Sequence, residues 1–238
     1  MHEVNRDVLR ATFPAGSHLV ELGCGTGTEA LALAKQGCRV FALDISPNMI
    51  ERARAKARAA GLADRATFVV GRTADVAELV RPSTPSSYDG AYANFSLTFE
   101  EDLRSLGASL AAILRPGAFF VCTLPNRLVL SEVLVYGALL RFRHVLWRFA
   151  TPLRKEVHGV MLEIHAYSPW QIREAFDPWF DLRRTMGVPV FVPPVYLHPQ
   201  YRRLGDARRV LEGLDARLAG RFPWNRLGEH TLFVFRRK

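Results

Sequence analysis

The stretch Glu21-Leu22-Gly23-Cys24-Gly25-Thr26-Gly27 decides the fold of this chain. It follows a short apolar run over residues 18–22 and precedes a helical pattern that begins near Thr28. Glycines at these positions let the backbone turn tightly, and they let a ligand approach where a Cβ would collide. Such a loop also directs the N–H groups of the next helix toward the ligand. The stretch therefore predicts a site for a nucleotide-like ligand at the end of a buried strand.

Strand and helix patterns alternate on both sides of this loop. Helices are predicted at residues 4–12, 28–36, 46–61 and 100–114, and strands at 18–22, 38–43, 66–70, 90–94 and 118–123. Ser46 and Pro47 suit the N-cap and the first position of their helix. Alternation at these lengths indicates βαβ units, so we expect a mainly parallel sheet of the doubly wound α/β (Rossmann-like) class.

The rhythm changes after Pro125. Residues 127–150 predict one or two helices, followed by a helix at 169–176, a strand at 180–185, a helix at 206–219 and a strand at 230–235. A chain of 238 residues suits one enlarged domain. We therefore expect a single domain over 1–238. Residues 1–125 form its cofactor-binding half, and residues 126–165 and 187–228 are insertions that act as a lid over the substrate.

The formal charge of +9 is unevenly distributed. Residues 126–238 contain 19 Lys and Arg against 10 Asp and Glu, a net of +9, so residues 1–125 are balanced. This asymmetry favours an anionic partner, substrate or surface for the second half. An interpretation of equal weight is genome composition, because 28 of the 32 basic residues are arginine.

The cysteines and the apolar runs restrict the class of protein further. Cys24, Cys38 and Cys122 lie in separate segments without paired spacing, which argues against a disulfide framework or a zinc site. The first residues lack the charged-then-apolar pattern of an export signal. The apolar run at 128–140 is too short to span a bilayer as a helix. We expect a cytoplasmic protein.

The glycine spacing departs from the dinucleotide-binding fingerprint, in which the third glycine comes three positions after the second. Here Gly23, Gly25 and Gly27 alternate, and Glu21 precedes them. A carboxylate at this place would repel a phosphate, whereas it could orient the amino group of a cationic ligand. A nicotinamide-dependent dehydrogenase is therefore a poor fit.

The chain resembles the class I S-adenosylmethionine-dependent methyltransferases in four features that occur in the family's order. These are the glycine loop, Asp44 at the end of the second strand, Asn94-Phe95 closing the fourth strand, and the turn 114–118 before the fifth. The resemblance covers roughly residues 17–125. The apolar runs predict seven strands, and residues 128–149 predict a helical lid. The resemblance implies that the last strand of the sheet is antiparallel and lies between strands five and six.

The resemblance implies S-adenosylmethionine as the cofactor. Asp44 matches the acid that binds the ribose hydroxyls, Met49 matches an apolar contact to adenine, and Asn94-Phe95 matches the position that touches the methionine moiety and the acceptor. The candidate cofactor-binding residues are Glu21, Gly23, Cys24, Gly25, Gly27, Asp44, Ile45, Met49, Thr73, Asn94 and Phe95.

One position departs from the family pattern. Many relatives have Gly-Asp after the third strand, and that Asp accepts a hydrogen bond from the adenine amino group. This chain has Gly71-Arg72-Thr73-Ala74-Asp75, and an arginine cannot accept a hydrogen bond. Either Thr73 and its backbone bind the adenine, or Asp75 reaches in from further along. Asp75 is also consistent with a surface acid.

Methyl transfer from a sulfonium is an in-line displacement, so the protein mainly supplies alignment and the exclusion of water. A base is needed only where the acceptor carries a proton that must leave. His165 and Tyr167 share one face of an extended segment and are the candidate catalytic residues. His165 is preferred because histidine titrates near neutrality. A histidine with a structural role is the alternative interpretation.

These observations predict an enzyme that transfers a methyl group to an O, N or C atom of a small-molecule acceptor, apolar or anionic. One alternative is an RNA methyltransferase, less favoured because no RNA-binding module is recognisable. Another is a non-catalytic S-adenosylmethionine-binding protein. The apolar and basic run 128–149 suits an apolar acceptor or an interfacial helix, so a peripheral membrane contact stays open. No metal site is predicted, and nothing in the sequence indicates an oligomeric state.

Overall fold

Helices and strands alternate through the first half of the computed structural model, which describes residues 2–80, 88–141, 147–149, 153–157, 160–193 and 205–238. The helices are α1 His2–Thr12, α2 Thr28–Lys35, α3 Pro47–Ala59, α4 Val76–Leu79, α5 Leu103–Ile113, α6 Leu130–Ala138, α7 Pro169–Phe176 and α8 Ala207–Leu218. The strands are β1 His18–Leu22, β2 Arg39–Asp44, β3 Ala66–Val70, β4 Tyr88–Asn94, β5 Leu114–Pro125, β6 Leu153–Val157, β7 Val160–Ile164, β8 Phe180–Val188 and β9 His230–Arg237.

Seven of these strands form one sheet in the order β3-β2-β1-β4-β5-β9-β8. Strands β1 to β5 are parallel to their neighbours, and β9 is antiparallel to both β5 and β8. The predicted doubly wound sheet, with an antiparallel last strand between the fifth and sixth, is confirmed. The carboxyl ends of β1, β2, β4 and β5 therefore meet at one edge, where the start of β9 joins them.

Two apolar layers cover the faces of this sheet. Phe120, Phe176, Phe180 and Phe235 belong to one buried cluster, to which α5 and α7 also contribute. On the other face, a second buried cluster contains Leu19, Tyr92 and Val121 together with residues of α1, α2 and α3. Because both faces are covered, the central strands are nearly continuous apolar runs, and this is why the pattern predicted them correctly.

The segment after β5 contains one described helix in the range 127–150, where one or two helices are predicted. The described part contains α6 and a single 3-10 turn at Trp147–Phe149, while residues 142–146 and 150–152 lie outside the described residues. A two-stranded hairpin, β6-β7, follows and had not been predicted. The division into a cofactor-binding half and lid insertions at 126–165 and 187–228 stays a prediction, and residues 158–159 and 194–204 of those insertions also lie outside the description.

Helix α6 has its polar side chains facing inward. Glu132 is only 2% exposed, and its carboxylate accepts from the Arg148 guanidinium at 2.7 Å. Arg148, itself buried, also donates to the Asn126 carbonyl at 3.2 Å. The backbone N–H of Leu130 donates to the Leu227 carbonyl at 2.9 Å. The start of α6 is thus held by hydrogen bonds and an ion pair. Among the described residues, no helix has the length and apolarity needed to cross a membrane.

The Glu132–Arg148 pair gives a stability prediction. Replacing Arg148 with Met leaves the buried Glu132 carboxylate without its guanidinium, so we expect a loss of about 3–5 kcal/mol in the free energy of unfolding. Urea denaturation followed by circular dichroism measures this loss. The matched control is Glu132→Leu with Arg148→Met, which removes both charges and is expected to be close to neutral. A single variant as stable as the double variant would contradict the argument.

Candidate functional site

The glycine loop leaves β1 at the sheet edge where the parallel strands end. Gly23, Gly25 and Gly27 all have left-handed backbone angles, with φ of 69°, 53° and 71°. A Cβ added to Gly23 would overlap the Ser96 side chain, and one on Gly27 would overlap the Phe68 ring. A Cβ on Gly25 would meet no described atom within 4 Å. Two of the glycines are therefore required by packing, and the third borders open space.

Asp44, at the end of β2, holds this loop in place. Its Oδ2 accepts from the Gly25 backbone N–H at 2.7 Å, and its Oδ1 accepts from the Ser46 N–H at 2.9 Å. A carboxylate offers about four acceptor positions, so two remain for other donors. One carboxylate thus fixes the loop and still has the capacity to bind a pair of hydroxyl groups.

Glu21 lies beneath the loop and is 3% exposed. Burial raises the pKa of Glu21 to about 8, and the neighbouring Tyr92 hydroxyl opposes part of this rise. Within the described structure, Glu21 Oε2 has no hydrogen-bond partner. A buried carboxylate oxygen of this kind gains most from a cationic donor, because desolvation makes an unmatched charge costly.

Asn5 on α1 closes the same region from the side of the N-terminal helix. It is 1% exposed, and its amide Nδ2 donates to Asn94 Oδ1 at 3.4 Å. Its own Oδ1 has no partner among the described atoms. The bidentate pair of Arg6 with Glu29 ties α1 to the first turn of α2. Asn5 is not among the predicted site residues. Its place four residues before Leu9, on the same buried face of α1, is the sequence signal that could have identified it.

A second part of the site lies at the ends of β2 and β3. Ile45 and Val70 are exposed apolar side chains beside Asp44, and Met49 is partly buried next to them. The Thr73 hydroxyl donates to Glu100 Oε2 at 2.6 Å, while Arg72 and Asp75 are exposed. The predicted residues Ile45, Met49 and Thr73 are thus brought to one edge, and Val70 and Glu100 join them as residues that the sequence did not single out.

The end of β4 carries a strained residue. Phe95 has a φ of 63°, a left-handed conformation that an aromatic residue adopts rarely and that often marks a functional position. Its ring meets the His230 ring edge-on, with centroids 4.8 Å apart. Next to His230, burial raises the pKa of Glu229 to about 7. Sequence analysis missed both residues because β9 reaches this edge only through the sheet order.

The two predicted catalytic residues lie after β7 and contact the turn at Ser96–Phe99. The backbone N–H of His165 donates to the Thr98 carbonyl at 2.8 Å, and the His165 ring stacks on the Tyr167 ring with centroids 5.8 Å apart. The Tyr167 hydroxyl donates to the Glu100 carbonyl at 2.5 Å, and burial raises the pKa of Tyr167 to about 12. This geometry favours a positioning role for Tyr167 and leaves the imidazole of His165 as the proton-transfer candidate of the pair.

These residues fit S-adenosylmethionine. The partnerless oxygen of Glu21 suits the amino group of the methionine part, and the two remaining acceptor positions of Asp44 suit the ribose hydroxyls. The exposed apolar side chains Ile45 and Val70 provide a surface for adenine. Gly25 borders the space between these groups, where a side chain would intrude.

Known proteins are similar to this chain in the region that contains these residues. A family profile described as "Methyltransferase domain" matches residues 19–117, which include the glycine loop, Asp44 and Asn94-Phe95. This part of the chain is therefore similar to a methyltransferase domain. The match begins in β1 and ends at Gly117, near the start of β5, so the similarity rests on the part of the chain that carries the candidate cofactor residues.

Two curated relatives and one solved structure illustrate what this chain is similar to. An O-methyltransferase resE of Aspergillus sclerotiorum is 33% identical over 110 residues, 46% of this chain and 40% of the relative. A trans-aconitate 2-methyltransferase of Paracidovorax citrulli is 35% identical over 182 residues, 75% of this chain and 56% of the relative. The chain thus spans less than two thirds of either relative. A geranyl diphosphate methyltransferase in complex with S-adenosylmethionine shares the fold, with a TM-score of 0.63, 17% identity, and coverage of 99% and 84% of the two chains.

We expect the affinity for the cofactor to depend on pH through Glu21. Its pKa of about 8 keeps the carboxyl protonated in the free protein at pH 7, whereas an ammonium group favours the carboxylate. Binding of S-adenosylhomocysteine should therefore release a proton, and affinity should rise by up to about tenfold per pH unit between pH 5.5 and 7.5. Calorimetry in buffers of different ionisation enthalpy measures both quantities.

The control for this experiment is Glu21→Gln, which keeps the shape and removes the titration. We expect it to bind more weakly at pH 7.5 and to lose the pH dependence. Equal pH slopes in the two proteins would show that Glu21 does not face the amino group.

Proposed function

We propose that this protein transfers the methyl group of S-adenosylmethionine to a small-molecule acceptor. The observation that carries the proposal is the hydrogen bonding of Asp44. Its carboxylate binds the left-handed glycine loop and keeps two free hydrogen-bond acceptor positions at the same sheet edge as Glu21. When bound, the cofactor supplies an electrophilic methyl group. The work of the chain is then to hold, align and desolvate the reactants.

In this proposal, Phe95 lies between the part of the site that binds the cofactor and the part that binds the acceptor. Asn94, together with Asn5 and Glu21, faces the methionine part of the cofactor. The Phe95 ring and His230 face the acceptor, so the strained Phe95 backbone serves to place an aromatic wall beside the reacting atoms. The Ser96 hydroxyl donates to the Leu22 carbonyl at 2.5 Å and ties this turn to the glycine loop.

An acceptor that loses a proton needs a base within reach. His165 remains our proposed base, with Tyr167 fixing its ring by stacking. Glu229 is a second candidate, because it lies beside His230 and its pKa of about 7 suits proton exchange at neutral pH. The two differ in location, one on the hairpin side of the site and one at the start of β9.

The small size of the acceptor is supported by the relatives, whose names include an O-methyltransferase and a methyltransferase of an organic acid. RNA is the second candidate, favoured only by the net +9 of residues 126–238. A non-catalytic binder of S-adenosylmethionine is the third. The two experiments below separate these functions.

The first experiment tests cofactor binding. S-adenosylmethionine and S-adenosylhomocysteine should bind in calorimetry, and nicotinamide dinucleotides should not. Asp44→Ala should weaken binding by about 1.5–3 kcal/mol, since it removes charged hydrogen bonds. Asp64→Ala, at an exposed acid before β3 and away from this edge, is the control and should bind normally. Binding of NAD without binding of S-adenosylmethionine would overturn the proposal.

The second experiment identifies the acceptor class. Methyl-labelled S-adenosylmethionine is incubated with separate metabolite, tRNA and protein fractions, and we expect label in the low-molecular-mass fraction only. The Asp44→Ala protein serves as the background control. In filter binding, RNA contacts through phosphates would weaken steeply as salt rises. Salt-sensitive tRNA binding with label in RNA would favour the second candidate, and label in no fraction would favour the third.

A further inference from the structure

Helix α6 exposes apolar side chains on its outer face and at its C-terminal end. Leu134 is 61% exposed and Leu140 is 77% exposed, and Leu139 is exposed as well. The inward face carries Ser131 and Glu132, both buried. Leu130, Val133 and Val135 are partly buried, so the exposed leucines lie outside the apolar stripe that a surface helix usually turns to the core. We call Leu134, Leu139 and Leu140 the outer leucines of α6.

The backbone at Leu140 adds an independent observation. The Arg141 N–H donates to the Tyr136 carbonyl at 2.8 Å, and the Leu140 N–H donates to the Gly137 carbonyl at 3.0 Å. These two bonds form the helix-ending motif in which glycine is preferred at the left-handed position. Here Leu140 occupies that position with a φ of 56°. A leucine is disfavoured at this position both by its backbone angle and by its exposure to water. We therefore infer that the Leu140 side chain contacts a partner outside the described residues.

The charges around α6 indicate the chemistry of the surface that the Leu140 side chain contacts. Residues 126–152 contain four arginines and one glutamate. The glutamate is Glu132, which is buried against Arg148 and contributes nothing to the surface. Arg141, directly after the outer leucines, is exposed. Arg148 is buried with it, so Arg141 is the exposed arginine among the described residues of this stretch. An apolar surface beside an exposed arginine, with no exposed acid in the stretch, is complementary to an anionic lipid surface.

We propose that the outer leucines of α6 insert into the interfacial layer of an anionic lipid membrane, with Arg141 at the headgroups. The Glu132–Arg148 pair and the Leu130–Leu227 hydrogen bond hold the start of α6 to the body of the protein, so the C-terminal end can project. The proposal is independent of the reaction, because none of the outer leucines belongs to the cofactor site.

The test is cosedimentation of the full chain with vesicles of phosphatidylcholine alone or mixed with phosphatidylglycerol. We expect binding to the mixed vesicles, weakened by salt, and little binding to phosphatidylcholine. Arg141→Gln should reduce the affinity about fivefold, the effect of one basic residue at an anionic surface. Leu134→Gln with Leu139→Gln should abolish binding, whereas Val210→Gln, at an exposed apolar residue of α8, should not change it.

Leu140→Gly separates a membrane role from a structural one. Glycine suits the left-handed position, so this variant should raise the thermal unfolding temperature while it weakens vesicle binding. Absence of binding by the wild-type protein at low salt, or equal binding by all variants, would overturn the proposal. A dimer in light scattering that the leucine variants convert to a monomer would also overturn it, since the patch would then join two copies.

Discussion

The hydrogen bond between the Asp44 carboxylate and the Gly25 N–H connects the ends of two neighbouring strands, and the cofactor site depends on it. The loop from Gly23 to Gly27 has three left-handed residues and contributes little apolar burial of its own. Its conformation is therefore set by what it is tied to. Asp44 supplies one bond at 2.7 Å, and the Cys24 N–H supplies another by donating to the Leu43 carbonyl at 2.9 Å. The Ser96 hydroxyl fixes the loop from the β4 side.

The same constraint explains which parts of the fold could be predicted from the sequence. Strands β1 to β5 are buried on both faces, so each is an apolar run bounded by turn residues, and the pattern identifies them without knowledge of their neighbours. The glycine loop and Asp44 could be predicted because local backbone geometry requires those residue types. The helix caps at Ser46 and Ser168 are likewise local, each accepting a backbone N–H within its own first turn.

The remaining features depend on contacts between distant segments. His230 and Glu229 come to the site only because β9 runs antiparallel beside β5, which places its first residue opposite Pro125. Asn5 contacts Asn94 across 89 residues of sequence. In α6, which lies inside the predicted helical range 127–150, an apolar composition does not imply burial. In α6 the ion pair of Glu132 faces inward and the leucines face outward, and a periodic pattern cannot tell the two faces apart.

The position of β9 in the sheet has a consequence for synthesis on the ribosome. Among the described strands, β8 pairs only with β9, and β9 is made about forty residues after β8 ends. At ordinary elongation rates this delay is on the order of seconds. During that time the apolar residues Phe180 and Leu182 lack the partner strand, and the β5 edge is uncovered. The five parallel strands can assemble on the nascent chain, but the sheet is complete only when β9 is inserted between β5 and β8. A chaperone contact is therefore most useful between the synthesis of β8 and that of β9.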